Sequence, residues 1–204
     1  MMQLFILPLR IMFLEGIIIS NKVIREIGSW ISSIGIAVIL VLFTGIFVFL
    51  PFRVEGYSME PTLHNGERIY VSKLSSTFSY LPDYGDIVVI DSRVDRTRTF
   101  KDAVMEHPLI QLLMRNEEKP IYYVKRVIGK PGDILVFKDH KVFRNGEELS
   151  EPYIKEVMNF GSEKKWVVPD NHIFVLGDNR NHSSDSRDIG PIPLDHVIGI
   201  CEFP

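Results

Sequence analysis

One cysteine in 204 residues, Cys201, leaves the chain unable to form an internal disulfide or a metal site built from several cysteines. The 6 histidines include no pair at the H-x-x-x-H spacing, so a zinc site would need ligands gathered from separate loops. We therefore expect no metal ion and no other cofactor. Cys201 lies in the apolar run V-I-G-I-C-E-F, and we interpret it as a small apolar residue on a terminal strand.

Blocks of one charge sign are also lacking. The 23 basic and 26 acidic side chains are mixed along the chain and give a net charge of −3. Nucleic-acid binding usually requires a strongly basic surface, and this balance provides none. We therefore expect no nucleic-acid partner.

Charge is absent altogether from Ile27 to Phe52, and most of these residues are apolar. About 20 apolar residues are enough to cross a bilayer. Trp30 and Phe52 stand near the two ends, where aromatic side chains favour the interface. The run is longer than the apolar region of a cleaved signal peptide, which has about 7–15 residues. We therefore predict an uncleaved transmembrane anchor at residues 27–52, in contact with the lipid bilayer.

Basic residues around this anchor favour one orientation in the cell membrane. Three precede it and one follows it: Arg10, Lys22, Arg25 and Arg53. By the positive-inside rule, a single-pass topology is predicted, with residues 1–26 cytoplasmic and residues 53–204 extracytoplasmic. Residues 1–19 are also apolar, but Pro8 and charged residues interrupt them. They are either an interfacial segment or an upstream extension without a role, and the sequence leaves both open.

Beyond residue 53, short β-branched runs alternate with Gly, Pro, Asn and Asp, which is typical of strands joined by tight turns. The candidate strands are residues 68–74, 86–90, 121–128, 133–137, 141–144, 172–176 and 197–203. Asn-Gly at 145–146 indicates a hairpin, because both residues accept the positive φ of a primed turn. Only 101–114 has a helical pattern, which Pro108 weakens. We predict a mainly β domain, with a coiled antiparallel sheet or small barrel-like structure, behind the transmembrane helix.

Ser58 stands in the segment Y-S-M-E-P-T-L, which is not the G-x-S-x-G elbow of an α/β-hydrolase. A serine that attacks a carbonyl needs a base. His64 is close in sequence, but no feature orients it, whereas Lys125 lies in the apolar strand Y-Y-V-K-R-V-I. Burial there would lower the pKa of Lys125 and let it act as the base. Strand alternation puts Arg126 on the opposite face, and Arg126, which keeps its proton, is expected to point outward.

Charged residues on an edge strand are usually solvated, so the pattern alone leaves both interpretations of Lys125 open. A second Ser-x-x-Lys, S-E-K-K at 162–165, runs from a loop into a strand, and we interpret it as coincidence. The segment G-D-N-R-N-H-S-S-D-S-R at 177–187 is nearly all polar and directly follows the strand I-F-V-L. This density of hydrogen-bonding side chains suits a loop that organises a buried polar site.

The anchor and three motifs that follow it in order resemble the bacterial type I signal peptidases, in particular the Gram-positive members. The motifs are Y-S-M-E-P-T-L at 57–63, Y-V-K-R-V-I-G-K-P-G-D at 123–133 and the polar loop 177–187, within a resemblance that covers roughly 53–203. It implies a membrane-anchored serine endopeptidase with a Ser/Lys dyad. Such an enzyme removes signal peptides from exported preproteins after a small-x-small site.

By this resemblance Ser58 is the nucleophile, Lys125 is the general base, and Ser183 hydrogen-bonds and orients the lysine. The residues expected to support the polar loop are Asp178 and an ion pair, Asp185 with Arg187. The expected walls of the substrate pocket are four residues beside the dyad: Met59, Leu63, Tyr123 and Val124.

The substrate is expected to add as an extended strand between the stretch before Ser58 and the strand of Lys125, with pockets that admit only small side chains. The Ser58 N–H is one oxyanion donor. The second donor is open, because Gly56 stands where some relatives carry a serine.

Two alternatives to the peptidase function remain. Self-cleaving repressors share the dyad and the β fold but carry a DNA-binding helix-turn-helix instead of an anchor. A tethered domain that only binds exported peptides would not require Ser58, Lys125 and Ser183.

Overall fold

The computed structural model describes residues 6–74, 80–105, 107–114, 122–159 and 164–202, with the backbone alone for residues 6–21, 108 and 114. The chain divides into two compact units, Met1–Phe43 and Thr44–Pro204. The first two positions of the S-E-K-K segment, 162 and 163, lie outside the described residues.

A single long helix opens the chain. Helix α1 runs from Ile6 to Phe47, and its part Lys22–Phe47 is long and apolar enough to cross a membrane, by length and composition. At 1.5 Å per residue this part is about 39 Å long, which exceeds the roughly 30 Å of a bilayer core. The helix ends five residues before the predicted anchor boundary at Phe52, because residues Phe49–Arg53 form the first strand instead.

The first four residues of that strand are apolar and continue the apolar run of the helix, so the sequence gives no sign of where the strand begins. Strand β1, Phe49–Arg53, pairs antiparallel with β2, Arg68–Ser72. Pro51 has no N–H to continue a helical ladder, but it is tolerated on an edge strand, where that N–H is not needed. Leu50 is buried while Phe49 is exposed, so the residues face opposite sides, as in any strand.

A curled seven-stranded antiparallel sheet carries most of the second unit. Its strands lie in the order β1-β2-β11-β3-β4-β9-β10. The strands not yet given bounds are β3 Ile87–Asp91, β4 Tyr122–Gly129, β9 His172–Leu176, β10 Ile192–Pro193 and β11 Val197–Glu202. Strand β3 is buried along its whole length, because it lies near the centre of the sheet and both of its faces are covered. The predicted mainly β fold is therefore confirmed.

A second sheet of four strands, ordered β7-β6-β5-β8, packs at the far end of β4. Its bounds are β5 Ile134–Lys138, β6 Lys141–Arg144, β7 Glu147–Glu148 and β8 Lys164–Val167. Phe137 and Leu135 of β5 share a buried cluster with Phe174 of β9. The predicted Asn-Gly hairpin joins β6 to β7, with φ of 56° at Asn145 and 91° at Gly146.

The connection between β3 and β4 contains two short helices, where the sequence predicts one over 101–114. They are α2, Phe100–Met105, and α3, Pro108–Met114. Pro108 begins α3, since a proline is tolerated in the first turn of a helix but not in its interior. A third short helix, α4, Ser186–Ile189, ends the polar loop, with Asp185 as its N-cap.

Candidate active site

The two residues of the predicted dyad, Ser58 and Lys125, lie in contact at the edge of the large sheet. Ser58 lies in the turn after β1, and Lys125 lies in β4. Lys125 Nζ is 2.8 Å from Ser58 Oγ and donates to Val124 O at 3.0 Å. Only 2% of Lys125 is exposed. A hydroxyl and an amine at this distance can exchange a proton directly.

Burial determines the proton affinity of that amine. The pKa of Lys125 is lowered from 10.5 to about 8, mainly by desolvation; the charges of Asp185 and Asp178 oppose this shift and that of Arg187 adds to it. The ring of Tyr123 lies 5.1 Å from Nζ and forms part of the apolar surroundings. An amine with this pKa is neutral in an appreciable fraction of molecules near pH 7, which a solvated lysine is not.

The polar loop 177–187 packs closely against the backbone of Ser58. A Cβ on Gly177 would overlap Ser58 O, at 2.5 Å, and would also overlap the Ser183 side chain. Ser183 Oγ donates to Asp185 Oδ2 at 2.8 Å. The resemblance implies a hydrogen bond from Ser183 to Lys125, but among the described residues the partner of the Ser183 hydroxyl is Asp185.

Asp185 is the centre of the loop. Its carboxylate is fully buried and pairs with Arg187, whose Nε and Nη2 donate at 2.8 and 2.9 Å. Asp185 also accepts from the Gly177 N–H at 3.1 Å. Arg187 Nη2 donates in addition to Arg180 O at 2.7 Å. The ion pair implied by the resemblance is thus present, and it closes the loop on itself.

Asp178 pairs with Arg126, and this corrects the prediction that Arg126 points outward. The guanidinium donates to both carboxylate oxygens of Asp178, at 2.8 and 2.6 Å, and to Gly85 O at 2.8 Å. Thr62 Oγ1 also donates to Asp178. The arginine side chain is 12% exposed because a buried carboxylate from a distant loop meets it on that face. Arg126 therefore fixes the strand of Lys125 to the polar loop.

Asn179 has no role assigned from the sequence, yet it holds the backbone of Tyr57 and Ser58. Its N–H donates to Ser58 O and its Nδ2 donates to Tyr57 O, both at 3.0 Å. Asn65 is a second residue without an assigned role, and its Oδ1 accepts from the Gly56 N–H at 3.0 Å. The only sequence signal for Asn179 is the density of polar side chains in the loop.

A cavity of about 350 Å³ opens in front of the dyad. It is lined by two chain segments, by three further side chains and by the dyad: Leu50–Glu55, Tyr122–Val124, Met59, Val89, Gln111, Ser58 and Lys125. Three of the four predicted wall residues therefore line it. Leu63 does not, because it is buried in the core beside Met59 and Ile69.

Open strand edges border this cavity on two sides. Residues Tyr122–Lys125 of β4 pair with β3, while β9 pairs with β4 only from Arg126 onward. Strand β1 pairs with β2 along one edge. Within the described residues, the other edges of both segments face the cavity, where a peptide could add as a strand.

Cys201 lies on the terminal strand β11, as predicted, and burial raises the pKa of its thiol to about 12. His64 is exposed, and its backbone N–H donates to Glu67 Oε2 at 2.8 Å. Neither residue borders the cavity. The expectation that no metal is needed stays a prediction.

A serine beside a buried lysine at the edge of a curled antiparallel sheet fits the class of the serine peptidases. Residues 27–204 match the family described as signal peptidase, peptidase S26. The chain is 38% identical over 194 residues to signal peptidase I of Bacillus licheniformis, with 88% of each chain covered. It is 36% identical over 189 residues to signal peptidase I T of Bacillus subtilis strain 168, covering 85% of this chain and 82% of that one.

Among solved structures, a signal peptidase I from Enterococcus faecalis V583 matches with a TM-score of 0.40 and 26% identity. The match covers 59% of this chain and 96% of that chain. The family match and the Bacillus relatives together show that the chain belongs to the signal peptidase family, peptidase S26.

Proposed function

We propose that this protein cleaves signal peptides from exported preproteins with Ser58 as nucleophile and Lys125 as general base. Membership of the signal peptidase family supports the reaction. The observation that best supports the assignment of the dyad is the distance of 2.8 Å between the buried Lys125 amine and the Ser58 hydroxyl. The cavity in front of it supplies space for a peptide.

In the proposed mechanism, neutral Lys125 removes the Ser58 proton as Oγ attacks the carbonyl carbon of the scissile bond. The resulting ammonium passes that proton to the leaving amine when the C–N bond breaks and the acyl-enzyme forms. Water then attacks the ester, Lys125 removes a proton from it, and the same proton returns to Ser58 Oγ as the carboxylic product leaves. Ser183 supports the base through Asp185, whose charge opposes the lowering of the Lys125 pKa.

The substrate is proposed to lie as a strand between the open edges of β1 and β4. Successive side chains of a strand alternate in direction, so every second residue before the cleaved bond faces the cavity. Met59, Tyr123 and Val124 border that space and restrict it to small side chains. This accounts for a small-x-small specificity.

The oxyanion is proposed to accept a hydrogen bond from the Ser58 N–H. Gly56 stands at the position where a serine would supply a second donor, and its own N–H donates to Asn65 Oδ1. Asn65 therefore fixes the backbone before Ser58. It also occupies the Gly56 N–H, which is then not free to donate to the oxyanion.

The membrane assignment rests on α1. Lys22–Phe47 is proposed to span the cell membrane once. Basic residues before this span and in its first turn, Arg10, Lys22 and Arg25, favour a cytoplasmic N-terminus and an extracytoplasmic β unit by the positive-inside rule. Cleavage would then take place at the extracytoplasmic surface of this membrane, where the site between the signal peptide and the exported protein emerges.

The test is cleavage of a precursor with a small-x-small site by the full chain in liposomes. Ser58→Ala, Lys125→Ala and Lys125→Arg should each abolish cleavage, the last because arginine does not release its proton at neutral pH. His64→Ala is the matched control, because His64 is the histidine closest in sequence to Ser58, and it should process normally. Normal processing by a correctly folded Ser58 or Lys125 variant would discard the dyad.

A further inference from the structure

Contacts between the two walls of the cavity in front of the dyad define its near and far ends. At the near end, Lys125 Nζ is 2.8 Å from Ser58 Oγ. Three residues before Lys125, the ring of Tyr122 meets the ring of Phe52 edge-on, with centroids 5.3 Å apart. At about 3.3 Å per residue, this ring pair lies about 10 Å from the dyad. Leu50 also lines the cavity and precedes Phe52 in β1, so it lies at the far end.

Helix α3 brings one further side chain to this far end. His107, just before the helix, packs so closely on Gly45 that a Cβ at Gly45 would overlap its ring. Gly45 belongs to the last turn of α1, which leads into β1 and Leu50. Gln111 lies one helical turn after His107, and its N–H donates to the His107 carbonyl at 3.0 Å. Because Gln111 borders the cavity, it does so at the end away from the dyad.

The carboxamide of Gln111 is a polar group in apolar surroundings. The other residues that line the far end are Leu50, Pro51, Phe52 and Tyr122. Gln111 is half-buried, and within the part of the chain that the structure describes its carboxamide has no hydrogen-bond partner. A peptide that fills the cavity excludes solvent from this group, and an amide left without a partner then costs free energy. The bound peptide therefore has to supply the partner.

We propose that Gln111 binds the main chain of the signal peptide about five residues before the cleaved bond. The far end is about two residues beyond the ring pair, hence about 17 Å from the dyad, which an extended chain of about five residues covers. A carboxamide offers a donor and an acceptor, which match the N–H and C=O that every residue provides. Such a contact is independent of the side chains in the signal peptide. The inference rests on the proposed function and adds a binding site upstream of the small-x-small site.

The first test compares two soluble peptides, cleaved by the full-length chain in detergent, that share one small-x-small site. The long peptide begins about seven residues before the cleaved bond and reaches Gln111, whereas the short peptide begins at the small-x-small site itself. Gln111→Leu keeps the size of the side chain and removes its hydrogen-bonding groups. It should raise KM for the long peptide about three- to tenfold, the effect of one lost hydrogen bond, and leave kcat unchanged. KM for the short peptide should not change.

Leu112→Ala is the matched control, because Leu112 is on the same helix but is 77% exposed and does not border the cavity. It should leave KM unchanged for both peptides. An unchanged KM of Gln111→Leu for the long peptide would overturn the inference. An equal rise of KM for both peptides would also overturn it, because the substitution would then act on the whole cavity.

A second test identifies the group on the peptide. Single amide bonds about four to six residues before the cleaved bond are replaced in turn by esters, which removes one N–H and weakens one carbonyl acceptor. One of these esters should raise KM of the unmodified protein several-fold and add nothing to the loss in Gln111→Leu, because both changes remove the same contact. Independent losses at every position, or coupling to a substituted side chain instead, would contradict binding of the main chain.

Failure of this inference can be distinguished from failure of the proposed function. Ser58→Ala should cleave neither peptide. Cleavage of the peptides by a correctly folded Ser58→Ala variant would remove the proposed function and this inference together. Normal turnover by the unmodified protein, with Gln111→Leu indistinguishable from it on the long peptide, would overturn the inference alone and leave the assignment of Ser58 and Lys125 unaffected.

Discussion

The protonation state of Lys125 should control the pH dependence of cleavage. With a pKa of about 8, roughly 9% of the amines are neutral at pH 7, compared with roughly 0.03% at the ordinary pKa of 10.5. Burial thus increases the reactive population about 300-fold. Since the neutral form is the base, kcat/KM should rise about tenfold per pH unit below the break and level off above pH 8.

Arg187→Gln is the perturbation that tests the electrostatic origin of this break. Arg187 is a nearby positive charge that lowers the pKa of Lys125, and it also neutralises Asp185, whose charge raises that pKa. Removal of the guanidinium acts in the same direction through both groups. The break should therefore move to higher pH, toward 10.5. A purely structural loss would lower the plateau and leave the break in place.

The assay is kcat/KM on a small-x-small peptide between about pH 6 and 10, with folding at each pH checked by circular dichroism. Lys130→Arg is the control, because Lys130 lies just after β4 but pairs with exposed Asp83. Its profile should match that of the unmodified protein. A break near pH 6.5 would indicate a histidine base, and a profile without a break below pH 10 would indicate a solvated lysine. Either result would refute the argument from burial.

Two further predictions concern the same buried contacts. Lysine in the unfolded chain keeps a pKa near 10.5 while folded Lys125 has about 8, so the unfolded state binds more protons between these values and stability rises with pH in that window. Lys125→Met should therefore raise the free energy of unfolding at pH 7 by up to about 3 kcal/mol in urea titrations of the detergent-solubilised chain, and a gain that does not shrink between pH 8 and 10.5 would contradict this origin. Gly177→Ala places a Cβ 2.5 Å from Ser58 O, so the serine must shift and kcat should fall at least about tenfold. Gly146→Ala, at a strained turn with φ of 91°, should lower stability without lowering kcat per folded molecule.

Local patterns in the sequence are sufficient for most of the fold. The β-branched runs and the Asn-Gly pair depend on neighbours in the chain, and the structure has strands and a primed hairpin turn there. Strand β1 is missed because apolar residues on both faces leave no alternation to detect inside an apolar run. The short strand β10 is likewise not predicted, whereas the Asn-Gly hairpin and the strand expected at the end of S-E-K-K anticipate β7 and β8.

Site residues can be predicted from the sequence where the chemistry leaves few candidates. The direction of a side chain cannot be predicted where it depends on a partner far away in the chain. Ser58 needs a base, and Lys125 is the lysine in the most apolar run. The side-chain direction of Arg126 depends instead on Asp178, which is 52 positions away in the chain. Leu63 fails as a wall residue for a similar reason, since the turn after Ser58 directs it into the core. Tertiary contacts of this kind leave no mark in a single sequence.

The polar loop contacts both the proposed nucleophile and the strand of the proposed base, and its charges also influence the pKa of Lys125. Asn179 holds the carbonyls of Tyr57 and Ser58 from behind. Asp178, the residue before it, holds the arginine that follows Lys125. The charge of Asp185 raises the pKa of Lys125 and so opposes the effect of desolvation. A displacement of this loop would therefore change the distance between hydroxyl and amine and the pKa of the amine together, so variants within it should alter kcat and the pH profile as a linked pair.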